Sequence, residues 1–324
     1  MNSPTVSLRL LVVVPCLNEG ATIGAVLSQI PSEISGIGEI VKLVIDDGST
    51  DDTRAASLRT GALVLSHPKN YGVGASFQTG LKYAIDHCFD IMVNLDGDGQ
   101  FNPADIPKLV TPITSGAYDF VTASRFSQAD LMPNIPPVKL WGNRQVSNIV
   151  NQLTGQTFKD VSCGFRAYSK EALLHLNLHG RFTYCHESFI SLCFKGLRML
   201  EVPIQVRYFD GRVSRVARSL PKYALNALLI MGRTYRDYKP LRFFWAVALL
   251  LLFPAAILAA IFFLHYYRTG YFMGYLWAGL TSAFLGGVSI LFFVLGILAD
   301  GLGTLRANQE RQLYWLKKLH MERD

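Results

Sequence analysis

Two aspartates at alternate positions, Asp96 and Asp98, follow directly after the apolar residues 91–93. Carboxylate oxygens are preferred ligands of hard divalent cations, and Mg²⁺ is often held by one or two carboxylates together with the phosphates of a substrate. The remaining ligands of such an ion would come from a bound diphosphate. The spacing therefore predicts a Mg²⁺ or Mn²⁺ site at the end of a strand.

Two other interpretations compete with a metal site that binds diphosphate. A calcium loop of the EF-hand type requires glycine at its sixth position and glutamate at its twelfth, where this chain has Phe101 and Pro107. That interpretation is excluded. An acidic turn after a strand requires no ligand, since aspartate and glycine favour turns for backbone reasons. Taken alone, the aspartate pair does not separate such a turn from the metal site.

The surrounding sequence alternates apolar strands with helices. It predicts strands at residues 8–14, 41–45, 62–65 and 91–95, and helices at residues 20–30 and 73–87. This alternation predicts an α/β fold with a mostly parallel sheet covered by helices on both faces. Ligands of such sheets collect beyond the carboxyl ends of the strands. Polar residues follow three of the predicted strands: Asn18 and Glu19, Asp46 and Asp47, and Asp96 and Asp98.

Four segments in this order and spacing are similar to family 2 glycosyltransferases of the GT-A fold, a Rossmann-like sheet domain. They are residues 15–19 (PCLNE), 44–51 (VIDDGSTD), 70–74 (NYGVG) and 96–100 (DGDGQ). More narrowly, the chain resembles the polyprenyl-phosphate glycosyltransferases, the dolichyl-phosphate mannose and glucose synthase group. Further matches are Ser124-Arg125, residues 160–166 (DVSCGFR), and residues 201–204 (EVPI) leading to a basic stretch at 211–215.

The resemblance implies a site for a nucleotide sugar and a metal ion. Asp96, Asp98 and Gln100 would hold Mg²⁺ or Mn²⁺, and Asp96, Asp98 and Arg125 would be catalytic. One departure is Leu17, where many members have an aromatic residue that stacks on the base. The residues implied to bind the nucleotide sugar are Pro15, Leu17, Glu19, Ile45, Asp47, Asp96, Gly97, Asp98, Arg125, Arg212 and Arg215.

A lipid phosphate acceptor and a hydroxyl acceptor need different catalytic groups. Arg125, Arg212 and Arg215 are candidates to stabilise the departing diphosphate, because a guanidinium pairs with two phosphate oxygens at once. The alternative is that Arg212, Arg215 and Arg218 form a solvated basic face near the lipid headgroups. A lipid phosphate is already ionised near neutral pH and needs no strong general base, whereas a hydroxyl acceptor does. Glu187, beside His186, could be that base, although such a pair more often begins a helix.

The carboxyl-terminal part contains two apolar stretches, residues 243–263 and 276–299. Each exceeds the ~20 residues that a helix needs to cross a bilayer. We expect a catalytic domain at 1–219, an amphipathic juxtamembrane helix at 220–241, two transmembrane helices within 242–300, and a tail helix at 301–324. Lysines and arginines flank the pair of spans, and only Arg268 lies between them, which predicts a multi-pass protein whose catalytic domain and termini are cytoplasmic.

The composition favours some classes of binding partner over others. The net charge of +7 on 324 residues is concentrated near the predicted spans, which favours contact with anionic lipid and phosphate over nucleic acid. The amino terminus does not have the pattern of a signal peptide. The five cysteines are odd in number and lack metal-type spacing, so we expect them to be reduced and buried.

The function expected from the resemblance is inverting, metal-dependent transfer of a sugar from a UDP- or GDP-linked donor to dolichyl or undecaprenyl phosphate. The favoured donor is a UDP-linked hexose or N-acetylhexosamine, followed by GDP-mannose. The sequence is also compatible with a homo-oligomer. The alternatives are transfer to a lipid hydroxyl and a non-catalytic scaffold that binds nucleotide sugar. A scaffold would be expected to lose its metal carboxylates, and this chain keeps them. A processive polysaccharide synthase is disfavoured, because residues 312–315 lack the arginine of its signature.

Overall fold

The computed structural model describes residues 7–128, 137–178, 184–207 and 220–322. The chain divides into two compact units. The first comprises Met1–Met231 together with Gln312–Asp324, and the second comprises Gly232–Arg311.

A seven-stranded sheet forms the centre of the first unit, in the order β3-β2-β1-β4-β6-β5-β7. Every neighbouring pair is parallel except the two that involve β6, which is antiparallel to both β4 and β5. The predicted mostly parallel sheet is therefore confirmed. The strands are β1 (Leu8–Cys16), β2 (Ile37–Asp46), β3 (Leu63–Ser66), β4 (Ile91–Asn94), β5 (Phe120–Ser124), β6 (Arg166–Ser169) and β7 (Met199–Pro203).

Helices cover both faces of the sheet. Strand β1 shows why, because its apolar residues alternate between two cores: Leu11 and Val13 pack in the cluster that contains Phe77, and Val12 packs in the cluster that contains Ile23. A strand buried on both faces is apolar along its whole length. The helices of this unit are α1 (Ile23–Ser28), α2 (Thr53–Arg59), α3 (Val73–Asp86), α4 (Ile106–Thr114), α5 (Pro137–Thr154), α6 (Lys170–His175) and α7 (Cys185–Phe194).

The reversed strand β6 brings the start of the 166–169 segment to the edge where the other strands end. Arg166 is paired with Asn94 at the end of β4 and with Thr122 near the end of β5. This edge also receives the ends of β1 and β2, where Cys16 is paired with Asp46. The polar segments predicted to meet beyond the carboxyl ends of the strands therefore do so.

Three long helices follow the sheet: α8 (Leu220–Tyr238), α9 (Pro240–Thr269) and α10 (Leu276–Met321). In the second unit, α9 and α10 pack against each other, and the Ser289 hydroxyl donates a hydrogen bond to the Ala248 carbonyl at 2.9 Å. Both helices are long and apolar enough to cross a membrane. Helix α8 matches the predicted juxtamembrane helix in extent and exposes Leu225, Leu228 and Leu229.

The carboxyl-terminal end of α10 belongs to the first unit, and the helix continues without a break into the region predicted as a separate tail helix. The Tyr314 hydroxyl donates to Glu171 at 3.1 Å, and the Lys317 ammonium donates to the Leu176 carbonyl at 2.9 Å. All five cysteines are free thiols. Three of them are buried, whereas Cys88 and Cys193 are only half-buried.

Candidate active site

The loop after β4 is held closely against the end of β1. A Cβ atom on Gly97 would lie 2.5 Å from the Cys16 sulfur, so only glycine fits at this position. The Thr22 hydroxyl donates to the Gly97 carbonyl at 3.0 Å, and the Gln100 amide donates to Asp98 Oδ1 at 3.0 Å. These contacts fix the backbone on which Asp96 and Asp98 are carried.

Negative charge is concentrated around this loop. Burial raises the pKa of the Cys16 thiol well above its ordinary value, and the carboxylates of Glu19, Asp46, Asp96 and Asp98 raise it further. A thiol feels several carboxylates in this way only where they surround it at short range. Three of the residues predicted to bind the donor or metal, Glu19, Asp96 and Asp98, therefore lie close together around Cys16.

The charge of Asp96 is poorly compensated. Burial raises the pKa of its carboxyl well above the ordinary range, and the charges of Asp98 and Glu19 act in the same direction. The cations Arg125 and Arg166 oppose the shift without cancelling it. Within the described residues, the Asp96 carboxylate accepts no hydrogen bond. The site therefore favours an added positive charge.

Glu19 reaches this site on a loop that is tied to the loop after β2. Asn18 has a left-handed backbone with φ of 50°, and its side-chain oxygen accepts a hydrogen bond from the Thr50 amide at 2.8 Å. The Glu19 amide donates to the Thr53 hydroxyl at 2.7 Å, and the Gly20 amide donates to Asp51 at 3.0 Å. The two loops form one rigid rim of the site.

Asp47 is predicted to bind the nucleotide, but its carboxylate already has three partners within the protein. Its carboxylate accepts hydrogen bonds from the amides of Tyr71 and Gly72 at 3.0 and 2.8 Å, and it contacts His67 Nδ1 at 2.7 Å. The side chain thus holds the 70–74 loop in place. Its predicted contact with the nucleotide base would have to be made beside these three partners.

Arg125 is held by a buried carboxylate. Its Nε donates to Asp160 Oδ2 at 2.6 Å, and its terminal nitrogen donates to Asp160 Oδ1 at 2.9 Å and to the Ser162 hydroxyl at 2.8 Å. Burial raises the pKa of Asp160, but the charge and hydrogen bonds of Arg125 outweigh it and lower that pKa below its ordinary value. The guanidinium remains close enough to Asp96 to act on its pKa. The sequence places Asp160 in the 160–166 segment that resembles the family, but it did not predict the pairing of Asp160 with Arg125.

Arg166 is fully buried beneath the site. Its guanidinium donates to the carbonyls of Val161, Cys163 and Cys185 and to the Ser188 hydroxyl, all within 2.9 Å. These bonds tie the 160–166 segment to the start of α7. The charge of Arg166 also opposes the negative charge on Asp96.

The other predicted residues fall into three groups. Pro15, near the end of β1, and Leu17, directly after it, are half-buried, whereas Ile45 is fully buried in the apolar core. Arg212 and Arg215 lie outside the described residues. His186 is fully buried, and burial together with the charge of Arg166 lowers its pKa to about 4, so it is neutral near pH 7. Glu187 lies beside it in the first turn of α7.

A divalent metal ion fits the donor groups of the acidic loop. Asp96, Asp98 and Gln100 offer carboxylate and amide oxygens, which suit Mg²⁺ and Mn²⁺. In the described part of the chain, no group of three or more His, Cys, Asp and Glu side chains is placed to hold a metal ion by itself. The loop therefore suits an ion that takes its remaining ligands from a bound phosphate group.

A family model now places this site in a known class, since the model described as glycosyl transferase family 2 matches residues 11–176. The chain belongs to glycosyl transferase family 2. The matched region includes the loops after β1, β2 and β4 and the whole of β6, so it contains the site described above. The predicted family and the predicted enzyme class are thereby confirmed.

Relatives of this family 2 enzyme include proteins named for transfer to lipid phosphates. It is 30% identical to the UDP-N-acetylglucosamine–dolichyl-phosphate N-acetylglucosaminyltransferase of Methanococcus voltae, over 68% of this chain and 94% of the relative. It is 27% identical to the undecaprenyl-phosphate 4-deoxy-4-formamido-L-arabinose transferase of Edwardsiella ictaluri, over 91% of this chain and 86% of the relative.

A solved structure with the same fold is glucosyl-3-phosphoglycerate synthase from M. tuberculosis. The TM-score is 0.55 at 25% sequence identity, and the match covers 69% of this chain and 81% of the synthase. The predicted GT-A fold is therefore confirmed. At 69% of this chain, the match is too short to span the whole sheet and all three long carboxyl-terminal helices as well.

Proposed function

We propose that this family 2 glycosyltransferase transfers a sugar from a nucleoside diphosphate donor to a polyprenyl phosphate, with inversion at the anomeric carbon and with a divalent metal. The observation that carries the proposal is the Asp96–Asp98 loop, where Arg125 and Arg166 oppose but do not cancel the raised pKa of Asp96. The relatives named for dolichyl-phosphate and undecaprenyl-phosphate transfer support the class of acceptor.

The chemistry follows from where negative charge develops. An oxygen of the acceptor phosphate forms a bond to the anomeric carbon while the bond from that carbon to the diphosphate breaks. The bonding electrons leave with the nucleoside diphosphate, so a single displacement inverts the configuration. The metal, when bound at Asp96, Asp98 and Gln100, would stabilise the charge on the leaving diphosphate.

The protein's own groups complete this arrangement. Arg125, fixed by Asp160, keeps a positive charge near the leaving group. The acceptor phosphate is already ionised near neutral pH, so its attack needs no proton to be removed. This fits the buried, neutral His186, which is not exposed to a substrate. The donor we favour is a UDP-linked hexose or N-acetylhexosamine, in keeping with the relative from Methanococcus voltae.

The membrane arrangement is part of the proposal. Helices α9 and α10 would cross the bilayer, with the catalytic unit and both termini in the cytoplasm, since basic residues flank the spans and only Arg268 lies between them. Helix α8 would lie along the membrane surface through its exposed leucines. Replacing Leu228 and Leu229 with glutamate should then reduce use of long-chain acceptors more than donor hydrolysis. Equal losses would contradict this role.

The decisive experiment measures transfer of radiolabel from a panel of UDP- and GDP-sugars to polyprenyl phosphate in detergent, with Mg²⁺, Mn²⁺ or chelator. Metal-dependent formation of an acid-labile glycolipid from one donor is expected, and Asp98→Ala should abolish it. Asp86→Ala, which changes a surface aspartate paired with Lys82, is the matched control. Labelling of lipid hydroxyls but not of lipid phosphate would overturn the acceptor assignment and make Glu187 the candidate base.

A further inference from the structure

The side chain of Asp96 rests against a buried polar cluster. Asn94 ends β4 two residues before Asp96, and both residues lie close to Gly164. Asn94 is fully buried, and so is Tyr184, which lies directly before α7. Neither residue belongs to the predicted site.

Asn94 and Tyr184 converge on one backbone carbonyl. The Asn94 amide nitrogen donates to the Gly164 carbonyl at 3.1 Å and to the Tyr184 hydroxyl at 2.6 Å. The Tyr184 hydroxyl in turn donates to the Gly164 carbonyl at 3.1 Å. The Tyr184 ring is stacked on Phe77, with the ring centres 4.1 Å apart. The position of Gly164 is therefore fixed from two sides.

Gly164 lies in contact with the Asp96 carboxylate. A Cβ atom at this position would lie 3.0 and 3.1 Å from the two Asp96 oxygens and 3.3 Å from the Tyr184 hydroxyl. The backbone of Gly164 does not adopt positive φ, so alanine would be free of backbone strain there. A methyl group there would therefore have to push the Asp96 carboxylate aside by a few tenths of an ångström.

We infer that Gly164, held in place by Asn94 and Tyr184, is a positioning wall that sets the orientation of the Asp96 carboxylate for the metal. This inference rests on the proposed function, because it concerns how the proposed metal site is built. Within the described residues the Asp96 carboxylate accepts no hydrogen bond, so packing must orient it. Groups that orient a metal ligand contribute about 10–100-fold to metal affinity.

Two single substitutions test the wall, each with a matched control. Gly164→Ala adds one methyl group against the Asp96 carboxylate, and Gly24→Ala adds the same group in α1, where it meets nothing within 4 Å. Tyr184→Phe removes the hydroxyl that holds Gly164. Tyr168→Phe removes the hydroxyl of another buried tyrosine whose ring packs on Phe77.

Binding of Mn²⁺ to the full-length protein in detergent, in the presence of UDP, is measured by electron paramagnetic resonance. Gly164→Ala and Tyr184→Phe should each weaken Mn²⁺ binding about 10–100-fold, while both controls bind as the wild type does. In transfer assays the two test variants should need more Mn²⁺ for half-maximal rate and should recover most of kcat at saturating Mn²⁺.

The possible outcomes distinguish failure of the proposed metal site from failure of the positioning wall. Wild-type protein that binds no Mn²⁺ would overturn the proposed metal site and this inference with it. Wild-type protein that binds Mn²⁺, with both test variants binding it equally well, would overturn the positioning wall alone. If Gly164→Ala does not fold, Tyr184→Phe decides the question, because it adds no atoms to the core.

Discussion

Asp96 and Asp160 are two carboxylates at the same edge of the sheet, and their environments are opposite. Asp160 is completely enclosed and accepts hydrogen bonds from the guanidinium of Arg125 and from Ser162. Asp96 is half-buried and accepts no hydrogen bond from the described residues. The pKa of Asp160 is lowered because its partners outweigh burial, whereas the pKa of Asp96 is raised by burial and by Asp98.

The difference supports the proposal that Asp160 serves the fold and that Asp96 serves a ligand. A buried charge whose partners are all supplied by the protein contributes a fixed ion pair, and removing one partner leaves the other uncompensated. A carboxylate that lies near other carboxylates destabilises the folded protein when no ligand is bound. It gains an oppositely charged partner when a cation binds. The contrast can be tested by making equivalent changes at both positions.

The largest effect is expected for Asp96→Asn. This change keeps the shape of the side chain and removes a metal-binding charge, so transfer should fall by about 10²–10³-fold or more. The melting temperature in detergent should stay the same or rise, because a poorly compensated charge is lost. Turnover within tenfold of the wild type would show that Asp96 is not a metal ligand.

Asp160→Asn should instead damage the fold. Arg125 would lose its counter-charge in a buried position, at a cost of about 3 kcal/mol. A loss of this size corresponds to a drop of roughly 6–12 °C in melting temperature for a domain of this size. The double variant Arg125→Gln with Asp160→Asn should recover part of that drop, because no unpaired charge remains. A double variant as unstable as the sum of the two single variants would contradict the pairing.

Binding of Mn²⁺ together with UDP should stabilise the protein only where Asp96 is intact. At a ligand concentration of about 100 times Kd, linkage contributes about 2.7 kcal/mol, which is a rise of several degrees in melting temperature. The wild type and Asp160→Asn should both show the rise, and Asp96→Asn should not. Chelator should abolish it. A rise in Asp96→Asn equal to that of the wild type would place the metal elsewhere.

The smallest effect is expected at Asp119, which pairs with Arg198 through the same two-pronged contact as Asp160 makes with Arg125, but at the surface. Hydrogen bonds from Arg198 lower the pKa of Asp119, so its stabilising effect is present above the unfolded-state value of about 4 and disappears as the pH falls further. Asp119→Asn should lower the melting temperature by about 1–2 °C at pH 7.

The control for this prediction is the pH dependence itself. The difference between Asp119→Asn and the wild type should shrink as the pH falls below about 4, since the carboxyl of the unfolded protein then takes up a proton that the folded protein binds only at lower pH. A difference that is constant with pH would mean that the effect comes from packing rather than from the ion pair.

Local sequence was sufficient for much of this fold. Strand β1 is apolar from Leu10 to Val14 and β4 from Ile91 to Val93, and the polar residues that follow these runs lie at the predicted edge of the sheet. The acidic loop could be identified because its donors, Asp96, Asp98 and Gln100, are close in sequence. The two long apolar helices followed from length and composition alone.

Features that depend on distant pairing could not be predicted. The antiparallel direction of β6 is set by its neighbours, since its four residues carry no signal for direction. Asn94 and Gly164 are 70 positions apart, and Asn94 and Tyr184 are 90 apart. The sequence offered only the closeness of Asn94 to Asp96, two positions apart at the end of β4.

The reversed direction of β6 also bears on how enzymes of this shape can diverge. The chain leaves the sheet at Ser124 and re-enters it at Arg166, and both points are at the edge that carries the acidic loop. Everything between them is an excursion anchored twice at the same border. We expect length changes outside the 160–166 segment, which holds Arg125 and Gly164, to leave both anchor points and the strand register unchanged, so that this excursion can vary without rebuilding the scaffold.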